Sequence, residues 1–475
     1  MDLSSLSQTT VFISTAVVVL TAILWLVYRR NTANDQGANY PPIDSGWVPW
    51  LGCAIEFGKA PLFQIQAKRK QLGPIFTLYI AGKRLTFLTS VEDFHHFFKS
   101  PNVDFQEAVV DAVNHTAAIP KPAFYESHTK LHDTVKGRLS AQSLEQIGNK
   151  LCVELNEVIA DLPDTFVGDS FELIRKLMYK SAINILFGRN SLGQNKEEFE
   201  KVIGHFVKFD QGFEYGSQLP ELFLRDWANS KHWLLSKFKS ARQSIEKGSK
   251  NDQTLFHSIV ETVGMSHSHS FGLLFMWAAL SNAVPIAFWA LVHIAANPDV
   301  LRQVKEEIRA VLGNFKKGKS GQISDEDIRR MPFAKSCVLE TVRLHSAGVI
   351  ARKVLQSFKI KGYTIPAGDM LIVSPYWAHR NPNYFPQPSK FNPDRWKDVD
   401  LEKKKFLEGF IAFGSGRYQC PGRWFALLEM QMFVSLFLWK YDVRLLNGVP
   451  QESPLHVVGT QHPVSECKAE FTLAV

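Results

Sequence analysis

The sequence predicts a large, mainly α-helical domain with a few small β-sheets, preceded by one N-terminal transmembrane helix. Three observations predict it: an 18-residue uncharged run near the N-terminus, helical patterning from Val91 to about Leu312, and short strand-like runs punctuated by glycine and proline from Val349 to Ser374. With 475 residues, 45% of them hydrophobic, the chain has material for a sizeable core, and composition shows no break between domains. Lysine plus arginine exceed aspartate plus glutamate by 54 − 46 = 8. That excess suits an anionic membrane surface or an acidic partner, and no basic run is dense enough to select nucleic acid. The five cysteines, Cys53, Cys152, Cys337, Cys420 and Cys467, are few, odd in number and scattered, as expected where thiols stay reduced.

The uncharged run, VFISTAVVVLTAILWLVY from Val11 to Tyr28, is followed at once by Arg29 and Arg30. It is about the shortest span of a bilayer core. A cleaved signal peptide is the competing reading, but no basic residue precedes the run and the arginines lie on its far side. Residues 1–30 therefore read as an uncleaved anchor, with everything after Arg29 in the cytosol by positive-inside bias. That topology leaves the sequon Asn114-His115-Thr116 unused. Residues 31–52, polar and then proline-rich, form a stiff hinge, and residues 53–475 a single domain. Gly73 to Thr89 reads as a β-hairpin around Gly82-Lys83. Loops are expected at Ile119–Pro122, Asp161–Asp169, Gly188–Gln194 and Lys247–Ser270, the last carrying SHSHS, Ser266 to Ser270, as a solvated segment rather than a metal site.

Phe271 to Ala296 contains no charged residue. Hydropathy alone makes it a second transmembrane helix, whereas a helix buried through the centre of a large core reads the same way. Pro285 favours burial: it cannot donate to the Ser281 carbonyl, so a kink and a free carbonyl beside Asn282 would suit a polar ligand pocket. Ser324 to Arg330 reads as a capped, acidic helix start. Glu340 and Arg343 lie one turn apart on the next helix and can pair, and a proline-punctuated stretch runs from His379 to Trp396.

The chemistry centres on FGSGRYQCPG, Phe413 to Gly422. Cys420 precedes a proline and a long apolar helical pattern from Pro421 to about Tyr441. That places the thiol at a helix N-cap, where unpaired N–H groups favour thiolate. Gly414 and Gly416 permit sharp turns, and Gly422 leaves room beside the sulfur for a flat object. A buried cysteine in a glycine-rich turn is the plainer reading of the sulfur alone.

The spacing Phe413-Gly414-x-Gly416-x-x-x-Cys420-x-Gly422 resembles the haem-binding loop of the cytochromes P450. With the anchor, the helix at Ala278 to Asn282, and Glu340, Arg343 and Arg395 of FNPDRW in the same order, the resemblance covers residues 40–475. It implies the cytochrome P450 fold and haem b (iron protoporphyrin IX) held by the Cys420 thiolate as axial ligand of the iron. It also implies a buried charge network of Glu340, Arg343 and Arg395 behind the haem. Two positions depart from the common pattern. Ser281 and Asn282 stand where an acid and a threonine usually relay protons, and an amide is a poor proton source, so ordered water must carry protons or the chemistry must not need them. Tyr418 stands where an Arg or His usually meets a haem propionate, which leaves Arg352, then Arg417, then His128 as propionate partners.

Asn282 followed by Pro285, with SGxxxCPGR, is similar to the sterol-handling branch of the family. EFGKAP (Glu56–Pro61), FEYGSQLPE (Phe213–Glu221), LSNAVPIAFW (Leu280–Trp289) and CPGRWFALLEMQM (Cys420–Met432) resemble its oxysterol 7α-hydroxylases. The resemblance implies a monooxygenase of the endoplasmic reticulum membrane, facing the cytosol, that uses molecular oxygen to place a hydroxyl on carbon 7 of 24-hydroxycholesterol or a related oxysterol, in cholesterol catabolism and bile acid synthesis. It implies a pocket lined by Trp277, Ala278, Val349, Ile350, Val457, Val458 and Gly459, although each alone is as well explained by core packing. The sequence has no flavin or nicotinamide fingerprint, so NADPH electrons would come from a partner, the membrane-bound NADPH-cytochrome P450 reductase. Two rivals stand: an isomerase or dehydratase acting on a peroxide, as prostacyclin synthase does, for which Asn282 would need no proton supply, and a non-catalytic haem sensor or carrier.

Overall fold

A computed structural model describes Thr15, Val18, Val19, Ala22 and Trp25, all helical, and then residues 39–475 apart from 141, 247–253, 317–322, 398, 400–408, 457 and 475. The anchor at 1–30 and the hinge as far as residue 38 thus lie almost wholly outside the described residues, as does Val457. The range 53–475 is distributed over two compact units, Met1–Ala108 with Val349–Trp377, and Val109–Gly348 with Ala378–Val475.

The first unit is built on a six-stranded sheet. The expected hairpin pairs Ile75–Ile80 with Lys83–Leu88 around Ala81-Gly82, flanked by Ile43–Asp44 on one side and by Met370–Val373, Ile350–Val354 and Val103–Asp104 on the other. Cys53, Ile65, Phe76, Leu78, Phe87 and Ile372 form its apolar core. Inside the sheet the Asp369 carboxylate accepts from Thr86 Oγ1 at 2.7 Å and Arg84 Nε at 2.9 Å, so a buried charge is paired rather than orphaned.

The second unit is helical. Its main elements are α1 (Lys121–Arg138), α2 (Leu144–Ala160), α3 (Ser170–Phe187), α4 (Lys196–Gln211), α5 (Arg225–Glu246), α6 (Leu255–Ala296), α7 (Pro298–Leu312), α8 (Pro332–His345) and α9 (Arg423–Lys440). The charge-free segment of α6 is the spine: Ala283 through Val292 is buried without a break, and α3, α5, α8 and α9 all pack on α6. A helix apolar on every face can be satisfied that way. It is long and apolar enough to cross a bilayer, with mean hydropathy 1.7 over its most apolar window, yet 67% of that window is buried inside the protein.

Three local expectations change. The helix continues through Pro285, and its non-helical residue is Gly264 (φ 71°, ψ 175°), a conformation that glycine adopts at little steric cost. SHSHS is helical rather than a solvated loop: Ser268 and Ser270 are buried, Ser270 Oγ donates to the Ala118 carbonyl at 3.3 Å, and His269 Nδ1 lies 3.3 Å from Arg242 Nη1. Asp161–Asp169 is not all loop, because Thr165–Asp169 pairs antiparallel with Lys468–Leu473, which also pairs with Tyr441–Leu445. Ser324 caps its helix as expected, in a reciprocal box with Asp327.

Candidate functional site

Glu340 and Arg343 lie on the buried face of α8, both fully shielded from solvent. The i,i+3 spacing lets the guanidinium meet the carboxylate edge on, with Nε to Oε2 and Nη2 to Oε1 both at 2.8 Å. Arg343 Nη1 donates to the carbonyls of His379 and Pro388, each at 2.7 Å. Glu340 also accepts from Arg395 Nε at 3.2 Å, Trp396 Nε1 at 3.0 Å and the Asn392 N–H at 3.0 Å. The structure therefore brings together all three residues of the expected network. Sequence reasoning missed Asn392, Trp396 and His379, although all three lie in or at the edge of the stretch from His379 to Trp396.

The cysteine loop is closed by backbone bonds, Gly414 N–H to the Ile411 carbonyl and Cys420 N–H to the Phe413 carbonyl, both 2.9 Å. Gly414 (φ +69°) and Gly416 (φ +71°) occupy the left-handed region, which accounts for glycine at each. Gly422 does not: a Cβ there would meet only Leu139 at 3.8 Å. The helix also starts later than the sequence suggests. Pro421 and Gly422 form a turn, Gly422 is the N-cap, and Arg423 is the first residue of α9, so Cys420 sits two residues before the cap. The N–H groups of Gly422 and Arg423 nevertheless bond to its sulfur. They and the Arg423 charge pull the thiol down, but burial outweighs them and pushes it up, the reverse of the expected lowering. Arg423, whose Nη1 donates to the Cys420 carbonyl at 3.2 Å and whose Nε is buried without a partner among the described residues, is a further residue the sequence reading left unassigned.

Of the propionate candidates, His128 lies 6.0 Å from the Tyr418 ring, while its neighbour on α1, His132, bonds through Nε2 to the Gln419 carbonyl at 3.1 Å. Arg417 is exposed, its guanidinium 5.3 Å from the centre of the Tyr418 ring. Arg352 belongs to the first unit, where it is buried between Phe97 and Phe105 at 4.9 Å from each ring. Val349 and Ile350 belong there too, Ile350 paired with Val373.

In the second unit, Ala278 and Asn282 are exposed one turn apart on a helix otherwise largely buried, while Ser281 is buried. Thr460 donates to Asn282 Oδ1 from its N–H at 3.0 Å and from its hydroxyl at 3.3 Å. The amide is thereby oriented with its NH₂ the other way, 3.4 Å from Ser281 Oγ. Gly459 lies against the same oxygen, its position for a Cβ 3.3 Å away, and Val458 donates its N–H to Glu214 at 2.8 Å. Trp277 stacks on Phe213 with centroids 3.6 Å apart. Trp277, Ala278, Asn282, Val458 and Gly459 thus belong to one neighbourhood, held by a contact with Thr460 that no local pattern announces.

Comparison with known proteins places this geometry. The profile of the family described as Cytochrome P450 matches residues 41–467. The human protein named 24-hydroxycholesterol 7-alpha-hydroxylase is 43% identical over 466 residues, 96% of this chain and 98% of that one, and the mouse protein of the same name is 41% identical over 96% and 97%. A pig protein named 5-beta-cholestane-3-alpha,7-alpha-diol 12-alpha-hydroxylase is 27% identical over 96% and 97%. Among solved structures, retinoic acid bound cyanobacterial CYP120A1 superposes with a TM-score of 0.75, covering 92% of this chain and all of that one at 18% identity, which speaks for the fold.

Proposed function

The chain belongs to the cytochrome P450 family, and we propose that it is a haem-thiolate monooxygenase that hydroxylates an oxysterol, 24-hydroxycholesterol or a close relative, at the 7α position. The observation that carries the substrate is the 43% identity maintained over 96% of the chain with the human protein of that name. Haem bound through a cysteine thiolate supplies oxygen activation, the thiolate favouring O–O cleavage. The residues present fit that group. Cys420 has N–H donors from Gly422 and Arg423 on its sulfur, which stabilise a thiolate once a cation is bound, and Ala278 with Asn282 offers an accessible strip on a largely buried helix.

In this reading the Cys420 thiolate would hold the haem iron, Phe413, Gly414, Gly416 and Gly422 would shape its loop, and Glu340, Arg343 and Arg395 would hold the elements behind it. Thr460 fixes the Asn282 carbonyl, leaving the NH₂ as the hydrogen-bond donor that Asn282 can offer. No carboxylate stands at position 281, so protons arrive through water. The sterol body rests on Trp277, Ala278, Val458 and Gly459 of the second unit. Within the second unit, His128 and Arg417 remain the proposed propionate partners. Residues 1–30 anchor the chain in the endoplasmic reticulum membrane, facing the cytosol, and 53–475 act as one catalytic domain supplied with electrons by the NADPH-dependent reductase.

The test is reconstitution of the full chain with reductase, NADPH and a panel of side-chain-hydroxylated sterols beside cholesterol, read by mass spectrometry. A 7α-hydroxylated product from 24-hydroxycholesterol is expected. Turnover of a peroxide without reductase, and no product from any oxysterol, would instead make Asn282 the mark of an isomerase.

A further inference from the structure

The buried histidine His379 connects two parts of the site that are far apart in sequence. Its ring is fully shielded from solvent. Nδ1 lies 3.0 Å from the Arg343 carbonyl, and Nε2 accepts the Ile411 N–H at 3.1 Å. A carbonyl can only accept and an amide N–H can only donate. The two partners therefore dictate a neutral imidazole with its proton on Nδ1. The connection is reciprocal, since the Arg343 guanidinium donates to the His379 carbonyl at 2.7 Å. On the other side Ile411 accepts from Gly414, the first of the two left-handed glycines in the cysteine loop. A second path closes the circuit: the His379 ring stacks on Phe410 at 5.2 Å, Phe410 meets Trp396 edge on at 4.8 Å, and Trp396 donates to Glu340.

We infer that His379 is a positioning residue for the thiolate: its neutral imidazole hangs the start of the cysteine loop from the buried Glu340–Arg343 pair. The inference rests on the reading that the Cys420 thiolate would hold the haem. No other side chain meets the local demand. A donor and an acceptor are required on opposite edges of a flat group thin enough to stack on Phe410. Lysine and arginine only donate, asparagine reaches one partner, and phenylalanine supplies the stack alone. Burial, with the nearby Arg343 charge, holds the imidazole down at about 3, so the acceptor on Nε2 persists across the physiological range.

The experiment compares holoprotein of the wild type with His379→Asn, His379→Gln and His379→Phe by amide hydrogen exchange at Ile411 and by the thiolate signature of the carbon monoxide complex. His379→Asn keeps the donor nearest the backbone and withdraws the acceptor. Ile411 protection should fall about tenfold or more, as for loss of one buried hydrogen bond, and the thiolate-ligated share of the complex should fall with it. His379→Phe keeps volume and stacking, and should fail as His379→Asn does. His379→Gln restores an acceptor at the reach of Nε2 and should recover Ile411 protection. Wild-type protection of Ile411 together with a full thiolate signature in the Asn and Phe variants overturns the inference. If these variants do not fold, nitrogen NMR of the wild-type imidazole decides: a proton on Nδ1 supports the bracket and a proton on Nε2 overturns it. A thiolate signature surviving in Cys420→Ala would defeat the ligand assignment instead, so the two failures are distinguishable.

Discussion

Replacement of Arg343 should remove the haem from the protein, not merely slow turnover. The guanidinium makes two 2.8 Å bonds to Glu340, two 2.7 Å bonds to the carbonyls of His379 and Pro388, and a longer one of 3.4 Å to Lys390. A solvent-exposed pair would contribute about 0–1 kcal/mol. Both partners here have no exposed side-chain surface, so the buried case applies, and breaking such a pair costs on the order of 3–5 kcal/mol. Set against a total stability of roughly 5–15 kcal/mol for a folded protein, that loss leaves much of the chain folded. The damage concentrates in the segments Arg343 grips, because Arg395, Trp396 and Asn392 still satisfy Glu340, whereas the carbonyls of His379 and Pro388 lose a charged donor. Arg343→Lys keeps the charge but presents one ammonium to partners spread around a planar fork, and should recover less than half of the loss. The assay is haem per chain after purification, with thermal melting to separate unfolding from simple loss of cofactor. An Arg343→Ala protein that is haem-replete and melts like the wild type would refute the reasoning.

Two further perturbations test other parts of the same unit. Glu429 on α9 is buried with neither carboxylate oxygen hydrogen-bonded among the described residues, and burial pushes its carboxyl from 4.5 up to about 8. The folded state therefore holds a proton that the unfolded chain releases between those values, and stability falls as pH rises through that window. At about 1.4 kcal/mol per pH unit, several kcal/mol are at stake. Glu429→Gln should melt higher than the wild type at pH 8, with the difference shrinking towards pH 5; a variant equal to or below the wild type at pH 8 argues for an ionised, partnered carboxylate. Gly414→Ala tests the loop: φ is +69° while a Cβ would meet nothing nearer than Tyr418 O at 3.9 Å. The expected cost is backbone strain of about 1–2 kcal/mol without a clash, seen as a modest melting shift with haem retained, and an unchanged melting temperature would mean that the loop is not held in that conformation.

What the sequence discloses and what it conceals divide along sequence separation. Glu340 and Arg343 are three residues apart on one helix face, so their pairing is legible, and the capping box of Ser324 with Asp327 is legible for the same reason. The start of α9 is misplaced by two residues because a proline after a cysteine fits a helix entry or a tight turn equally well, and only the fold selects the turn at Pro421-Gly422. SHSHS looks like solvent-exposed loop because its polarity is visible and its partners, Arg242 and Ala118, are not. The strand at Thr165–Asp169 is hidden likewise, since its partner lies at Lys468–Leu473. Asn282 is the sharpest case. Its presence in the charge-free segment of α6 singles it out, but the orientation of its amide, and hence whether it offers a donor or an acceptor, is set by Thr460, 178 residues away. Residue type therefore fixes which chemistry is possible at each position here, and long-range partners fix which of the possibilities is used.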